Sequence, residues 1–322
     1  MLAWQPTATI AMLKFRADIL NKIRTFFSDR DILEVDTPLL SKGTITDPNI
    51  ISLESFIHGS GKEAEKYYLQ TSPEFGMKRL LCAGSGSIYQ ICKAFRDGES
   101  GRRHNPEFTM VEWYRMGFDL HALMNEMDEF LAAIIGAKKA ERMSYREVFL
   151  RYCDIDPFTA DIAGLQRCAK QQGLNELHGL NDIERDAWLD LLISHCIEPH
   201  LGNGQPTFLY DFPASQAALA QIRADEFPVA ERFEVYIKAM ELANGFHELA
   251  DSTEQRRRFE HDLRKRQCLG IKPVTIDENF LEALNHGLPK CAGVAVGVDR
   301  LVMIAAEVSS LADVISFPVE RA

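Results

Sequence analysis

Apolar residues at Met12, Phe15, Ile19, Ile23 and Phe26 recur at helical spacing, so residues 9–30 are predicted to form an amphipathic helix with one buried stripe. The period then changes to two. Leu33 and Val35 alternate with Glu34 and Asp36 before Pro38, which cannot donate to a strand ladder and so marks an edge or an end. Residues 42–66 are rich in Gly, Ser and Thr and read as loop and hairpin. A short strand at 67–71 runs into Ser72-Pro73-Glu74, and a helix carrying Met77, Leu80 and Leu81 follows. Two β-like segments, 87–96 and 107–116, bracket a polar stretch with Gly98, Gly101, His104, Asn105 and Pro106, the pattern of a long hairpin.

Leu120, Leu123, Met127, Phe130 and Ile134 give another amphipathic helix, and residues 140–205 read as a mostly helical insertion in the same domain. Strand patterns return at Phe208–Phe212 and Glu231–Asn244. A charged helix at 254–268 precedes the strand Gly293-Val-Ala-Val-Gly297, and a last apolar helix starts at Asp299. Antiparallel strands with flanking helices, without regular βαβ alternation, predict an α+β fold in a single domain spanning 1–322.

Composition narrows the function. With 322 residues, 46% of them hydrophobic, the chain can bury a large core. Its 47 acidic and 36 basic residues give a formal charge of -11, which argues against holding nucleic acid by bulk electrostatics and favours a small cationic partner. Seven scattered cysteines without a Cys-x-x-Cys pair suggest neither a disulfide framework nor a zinc site, and a reducing cytoplasm is expected. No signal-peptide pattern and no membrane-spanning run are found.

Several residues could carry chemistry. Glu112 and Tyr114 leave the same face of a strand as Phe108 and Met110, so a carboxylate, a phenol and an aromatic ring meet in a set that suits an ammonium group. The same pattern fits a half-buried strand whose polar residues meet solvent. Arg96, at the end of the first hairpin arm, could hold a phosphate bidentately, with Arg102, Arg103, His104 and Asn105 beyond it; a basic surface loop has the same composition. Glu241 and Glu248 are expected on either side of a glycine turn, where their oxygens suit magnesium bound with substrate phosphates, or simply meet water. Gly293 and Gly297 permit close backbone approach of a ligand beside Asp299 and Arg300 at the start of the last helix. His195, His200 and Arg256 to Arg258 read as structural or solvated. Nucleotide-binding and hydrolase signatures such as Walker A, Gly-x-Gly-x-x-Gly and Gly-x-Ser-x-Gly are absent from the sequence.

In order, these segments resemble the three signature motifs of class II aminoacyl-tRNA synthetases, and the lysyl branch in particular. The first helix and the strand ending at Pro38 are similar to motif 1, the dimer-forming element. Phe95-Arg96 through His104-Asn105-Pro106-Glu107-Phe108-Thr109-Met110 to Glu112-Trp113-Tyr114 resembles motif 2, and Gly297-Val-Asp-Arg300-Leu resembles motif 3. Thr71-Ser72-Pro73-Glu74 and Glu241-Leu-Ala-Asn-Gly-Phe-His-Glu248 also resemble lysyl-branch segments. There is no room before motif 1 for an anticodon-binding barrel. That layout is similar to the lysyl-tRNA synthetase paralogues that attach (R)-β-lysine to one lysine of elongation factor P.

The resemblance implies an ATP-dependent ligase that forms an aminoacyl-adenylate and then an amide bond. Arg96 and Arg300 would hold the ATP phosphates and act in catalysis, Phe108 would stack on adenine, and Asp97, Gly98, Asn105, Glu241, Leu242 and Gly297 would line the nucleotide site. Ser72, Pro73, Glu74, Glu112, Tyr114, Glu248 and Ala295 would shape the site for (R)-β-lysine or lysine, with Glu241 and Glu248 also binding Mg2+. Elongation factor P as acceptor, a homodimer, no stable tRNA complex and no membrane association complete the expectation. Two departures stand out. The usual Phe-Arg-x-Glu of motif 2 is Phe95-Arg96-Asp97-Gly98 here, leaving Glu99 or a backbone carbonyl as the substitute, and Ala295 replaces a common glycine. The competing readings are a compact tRNA-aminoacylating enzyme, an ammonia-using amide synthetase, whose acidic substrate would poorly suit Glu74 and Glu248, and a silent regulatory paralogue, which would lack the two arginines.

Overall fold

A computed structural model describes residues 4–58, 63–174 and 184–322. Parts of the expected 42–66 loop and of the 140–205 stretch, at 59–62 and 175–183, lie outside the described residues. The chain packs as two compact units: Met1–Phe118, Ala133–Ile135 and Leu249–Ala322 form one, and Asp119–Ala132 with Gly136–Glu248 the other. Along the chain come α1 (Ile10–Ser28), β1 (Leu33–Glu34), β2 (Leu40–Ser41), β3 (Glu54–Ile57), β4 (Glu65–Leu69), α2 (Glu74–Cys82), β5 (Ile88–Phe95) and β6 (Glu107–Met116). Next are α3 (Leu120–Ile135), β7 (Glu141–Ser144), α4 (Tyr145–Cys153), α5 (Ile162–Gln171), α6 (Arg185–Leu192), β8 (Thr207–Pro213), β9 (Ile222–Arg223), β10 (Val229–Tyr236) and β11 (Glu241–His247). The chain closes with α7 (Ser252–Cys268), α8 (Glu278–Gly287), β12 (Cys291–Gly297) and α9 (Val298–Ala305). This is an α+β architecture, as the strand pattern predicts.

In the first unit the strand order is β1-β5-β6-β12, with β1 parallel to β5 and the other pairs antiparallel. A separate small sheet, β2-β4-β3, takes up the ends of the 42–66 segment. Thr9 caps α1 by accepting the Met12 N–H at 3.1 Å, and Ile19, Ile23, Phe26 and Phe27 are its buried residues. Phe27 stacks on Tyr89 at 4.3 Å and meets Trp113 edge-on at 5.2 Å. Tyr89, Trp113 and Val294 are direct cross-strand partners, so that face of the sheet belongs to the helix and the core. The next row, Gln90, Glu112 and Ala295, necessarily faces the other way.

The second unit has the order β11-β10-β8-β7, with β9 on β10 and β7 parallel to β8. Its core gathers Tyr145, Phe149, Trp188, Leu189, Leu209 and Phe212. Residues 140–205 are therefore not helical throughout: Glu141–Ser144 pairs as a strand before a Ser144/Glu147 capping box starts α4. The Glu231–Asn244 pattern is a hairpin. Its turn residues, Lys238 and Ala239, have φ of 53° and 54°, the left-handed pair of a type I′ turn without the usual Gly or Asn. The turn is docked: the Lys238 and Ala239 N–H groups donate to the carbonyls of Gly202 and Leu201 at 2.9 and 3.0 Å. A Cβ on Gly202 would lie 2.5 Å from Ile237 Cα, and its own φ is +71°.

Two substitutions should therefore act in opposite directions. Ala239→Gly removes roughly 1 kcal/mol of left-handed strain, partly offset by the freedom glycine gains in the unfolded chain, and should raise the unfolding free energy by about 0.5 kcal/mol. Gly202→Ala combines that strain with backbone overlap and should cost about 3 kcal/mol or more. Urea unfolding of both variants checks the pair.

Candidate active site

The face of β5, β6 and β12 turned away from α1 carries one acidic row. Glu112 and Tyr114 are each 2% exposed, which removes the reading of a strand whose polar side chains meet solvent. Ser72 donates its hydroxyl to Glu112 Oε2 at 2.7 Å, and the Tyr114 hydroxyl donates to Oε1 in a short contact. The same Ser72 Oγ accepts the Glu74 N–H at 3.1 Å, at the first residue of α2, where a carboxylate also suits the helix dipole. Pro73 occupies the N-cap position and supplies no side-chain bond. Opposite Glu112 and Tyr114 on β12 stand Ala295 and Gly293, whose small size leaves room above the acidic row.

One participant was not singled out from sequence. Lys78, one helical turn after Glu74, is 0% exposed and places Nζ 2.6 Å from Glu74 Oε1. Only the i,i+4 spacing of Glu and Lys signals it. Burial, and then the nearby charge of Glu74, push the Glu112 carboxyl up to about 7 against the opposing hydrogen bonds from Tyr114 and Ser72. The acidic row therefore holds a proton at Glu112 through much of the mildly acidic range.

The first unit also gathers the anion-binding candidates. The Arg96 guanidinium lies 5.1 Å over the Phe108 ring and 3.6 Å from Glu99, with its Nε buried and without a hydrogen-bond partner. The Asp97 carboxylate accepts the Gly98 N–H at 2.9 Å, and Gly98 has φ of +77°. That left-handed turn accounts for glycine where a glutamate is usual. Arg300 reaches His104 Nε2 at 2.6 Å, and burial together with the Arg300 charge lowers the His104 pKa, so a neutral ring accepts this bond. Asn105 donates to the Glu107 carbonyl at 2.6 Å and accepts the Val319 N–H at 2.9 Å, which makes it a brace for the hairpin loop and the last residues. At Gly297 a Cβ would meet only the Arg300 side chain, at 3.7 to 3.8 Å, so no neighbour in the protein demands a glycine there. Asp299 is structural: it accepts the Thr109 N–H at 2.8 Å and pairs with Arg16 of α1 at 2.6 Å.

Glu241, Leu242 and Glu248 belong to the second unit, and the expected glycine turn between the two acids is absent. The segment is strand β11, with Gly245 paired to Phe233. Tyr236 pairs with Glu241 while Val235 pairs with Ala243, so Leu242 is an extra, bulged residue. The bulge returns Glu241 to the face of Glu234 and Tyr236, and these three, with Arg232, Asp190 and Glu198, border a cleft of about 420 Å³. Glu234 is engaged by Arg232 and by the Tyr236 hydroxyl, both at 2.5 Å, and burial raises its pKa. Burial and Asp186 push Asp190 up to about 6. Leu242 and Glu248 are both buried. Among the described residues, no three His, Cys, Asp or Glu side chains are grouped to hold a metal by themselves. Among the described residues, no helix is long and apolar enough to cross a membrane.

The raised Glu112 pKa makes a stability prediction. A carboxyl with a folded pKa near 7 and an unfolded value near 4.3 binds more protons folded than unfolded between those limits, so its contribution falls as pH rises through that window. Glu112→Gln abolishes this titration. Relative to the wild type, the Tm of the variant should climb between pH 5 and pH 8 in scanning calorimetry; a constant difference refutes the assignment.

Residues 1–321 match the family described as tRNA synthetases class II (D, K and N). The elongation factor P (R)-β-lysine ligase of Edwardsiella ictaluri is 51% identical over 100% of this chain and 99% of its own. Those of Pectobacterium carotovorum and Salmonella typhi are 50% and 51% identical, each over 99% of this chain and 98% of theirs. The chain belongs to the class II tRNA synthetase family, in its D, K and N group.

Proposed function

We propose that this chain is an ATP-dependent ligase that activates (R)-β-lysine, or lysine, as an aminoacyl-adenylate and transfers it to a lysine side chain of elongation factor P. The full-length similarity to ligases of that name supports the reaction. The observation that carries the substrate class is the buried acidic row, in which Ser72 and Tyr114 hold Glu112 beside Glu74. With one Glu74 oxygen taken by Lys78, an ammonium group is the partner that suits the remaining carboxylate oxygens of such a row. Glu74, Glu112 and Tyr114 would receive it.

The substrate carboxylate is the nucleophile and is already an anion, so activation needs no protein base. It attacks the α-phosphorus in line, the bond to pyrophosphate breaks, and the adenylate remains. Arg96 would steady the charge on the α-phosphate and Arg300 that on the departing group, while Phe108 offers its ring to adenine. Binding triphosphate would exchange the Arg300 contact with neutral His104 for contacts with phosphate oxygens. Magnesium fits as a companion of ATP: one or two carboxylates and oxygen-only donors suit an ion that takes its other ligands from phosphates and water. Glu241 and Glu248 would hold it, and it would supply further neutralisation of phosphate charge. In the second step the acceptor amine, with an ordinary pKa near 10.4, attacks the adenylate carbonyl after losing its proton, and AMP leaves.

Exposed apolar residues on and beside α1 and β1, including Trp4, Ile10 and Leu33, support a homodimer through this region. The net charge of -11 supports action without a stable tRNA complex, and the free thiols support a reducing cytoplasm.

Pyrophosphate exchange tests the reading directly. Exchange should be driven by (R)-β-lysine, and more weakly by lysine, but not by aspartate, and Arg96→Ala or Arg300→Ala should lower it by about 100-fold or more. No exchange with any amino acid would favour a silent paralogue. Mass spectrometry of elongation factor P should then show a lysyl adduct. Ala295 sits in register with Glu112, so Ala295→Gly removes a methyl group beside the proposed ammonium site and should shift the β- to α-lysine ratio of kcat/KM by about 10-fold toward α-lysine, the scale of one methyl-sized change in a pocket. An unaltered ratio counts against a role for this methyl group.

A further inference from the structure

Lys78 is fully buried, sits beside the acidic row, and has no part in the chemistry described so far. Its ammonium lies 2.6 Å from Glu74 Oε1, one turn along α2, and 5.9 Å from the Phe280 ring of α8. A fully buried lysine whose carboxylate partner is only partly buried is an unusual arrangement, because the cation gives up its hydration to hold a side chain that keeps some of its own. The contact has a geometric result. One Glu74 oxygen is taken, by an ammonium group shut off from solvent.

We propose that Lys78 is a positioning residue for substrate recognition: by pinning Oε1 of Glu74 it directs the remaining oxygen at the incoming ammonium group and keeps the acidic row from acting as two unpaired carboxylates. The proposal rests on the reading that this row binds an ammonium substrate. Its chemistry is local. Beside the pair lie Cys82 on α2, which feels the Lys78 charge, and Glu112 on β6, which feels both charges and is held through Ser72 and Tyr114; Phe280 of α8 faces Lys78, and the cross-strand neighbours of Glu112, Gln90 and Ala295, are uncharged. Lys78 is thus the one positive group among them, and its charge opposes the upward push that Glu74 exerts on Glu112.

Removing that cation leaves two neighbouring acids that resist ionising together. In Lys78→Met the KM for the lysine isomer should rise at least tenfold at pH 7, with the KM for ATP within twofold of wild type. The gap should narrow as pH rises to 8.5 and Glu112 ionises, and Lys78→Arg, which keeps the charge, should stay closer to wild type than Lys78→Met. A double-mutant cycle guards against a variant that does not fold, because Glu74→Gln/Lys78→Met removes the buried pair as a unit. Once Glu74 is Gln, adding Lys78→Met should change the amino-acid KM by less than twofold. The proposal is overturned by an unchanged amino-acid KM in folded Lys78→Met, by an equal rise in the KM for ATP, or by additive losses in the cycle. Wild-type exchange with the lysine isomers is the control: its absence sinks the proposed reaction, whereas normal exchange with unaffected Lys78 variants sinks only this inference.

Discussion

Cross-strand register in the first unit is the constraint on which the site depends. Tyr89, Trp113 and Val294 form one row of three neighbouring strands, and Phe27 of α1 seals it. With that row committed to the core, the period of two leaves Gln90, Glu112 and Ala295 no choice of side. The acidic row is therefore turned to its side by aromatic packing on the opposite face, while Ser72, Tyr114 and Lys78 hold the carboxylates within it. Burying a large side chain such as Trp113 contributes about 1.5 to 3 kcal/mol, enough to oppose the cost of an ionisable group on the reverse of the same strand.

A second coupling runs through Asp299. It accepts an amide from β6 beside Phe108 and pairs with Arg16 of α1, while its neighbour Arg300 starts α9. The helix read as motif 1 is in this way tied to the backbone beside both the Phe108 ring and the Arg300 guanidinium. Asp299 thereby links the segments that carry those two groups.

Much of this was legible in the chain itself. The α1 stripe, the long hairpin and the grouping of Ser72, Glu74, Glu112 and Tyr114 all follow strong periodicity or a multi-residue resemblance. The losses have physical causes. Lys78 escaped because a lysine on a helix reads as solvent-exposed until its burial is known. The β10–β11 turn escaped because Lys238 and Ala239 adopt left-handed angles without glycine or asparagine. Helix α8 carries a readable signal, an Asp277 cap followed by Phe280, Leu281 and Leu284, but it is short and lies between stronger patterns. The supposed glycine turn at 245 failed because a glycine inside a strand looks, in one dimension, like a break.

The bulge at Leu242 has a consequence for how this segment can change over generations. Were Leu242 in regular register opposite Tyr236, alternation would send Glu241 to the reverse of the sheet, away from Glu234 and Tyr236. Point substitutions at 242 alter a buried apolar contact, and loss of that one codon would leave Glu241 next to Ala243 on its present face, with the ladder made regular. The bulge thus reconciles the register set by the Lys238–Ala239 turn with the pairing of Val235 and Ala243.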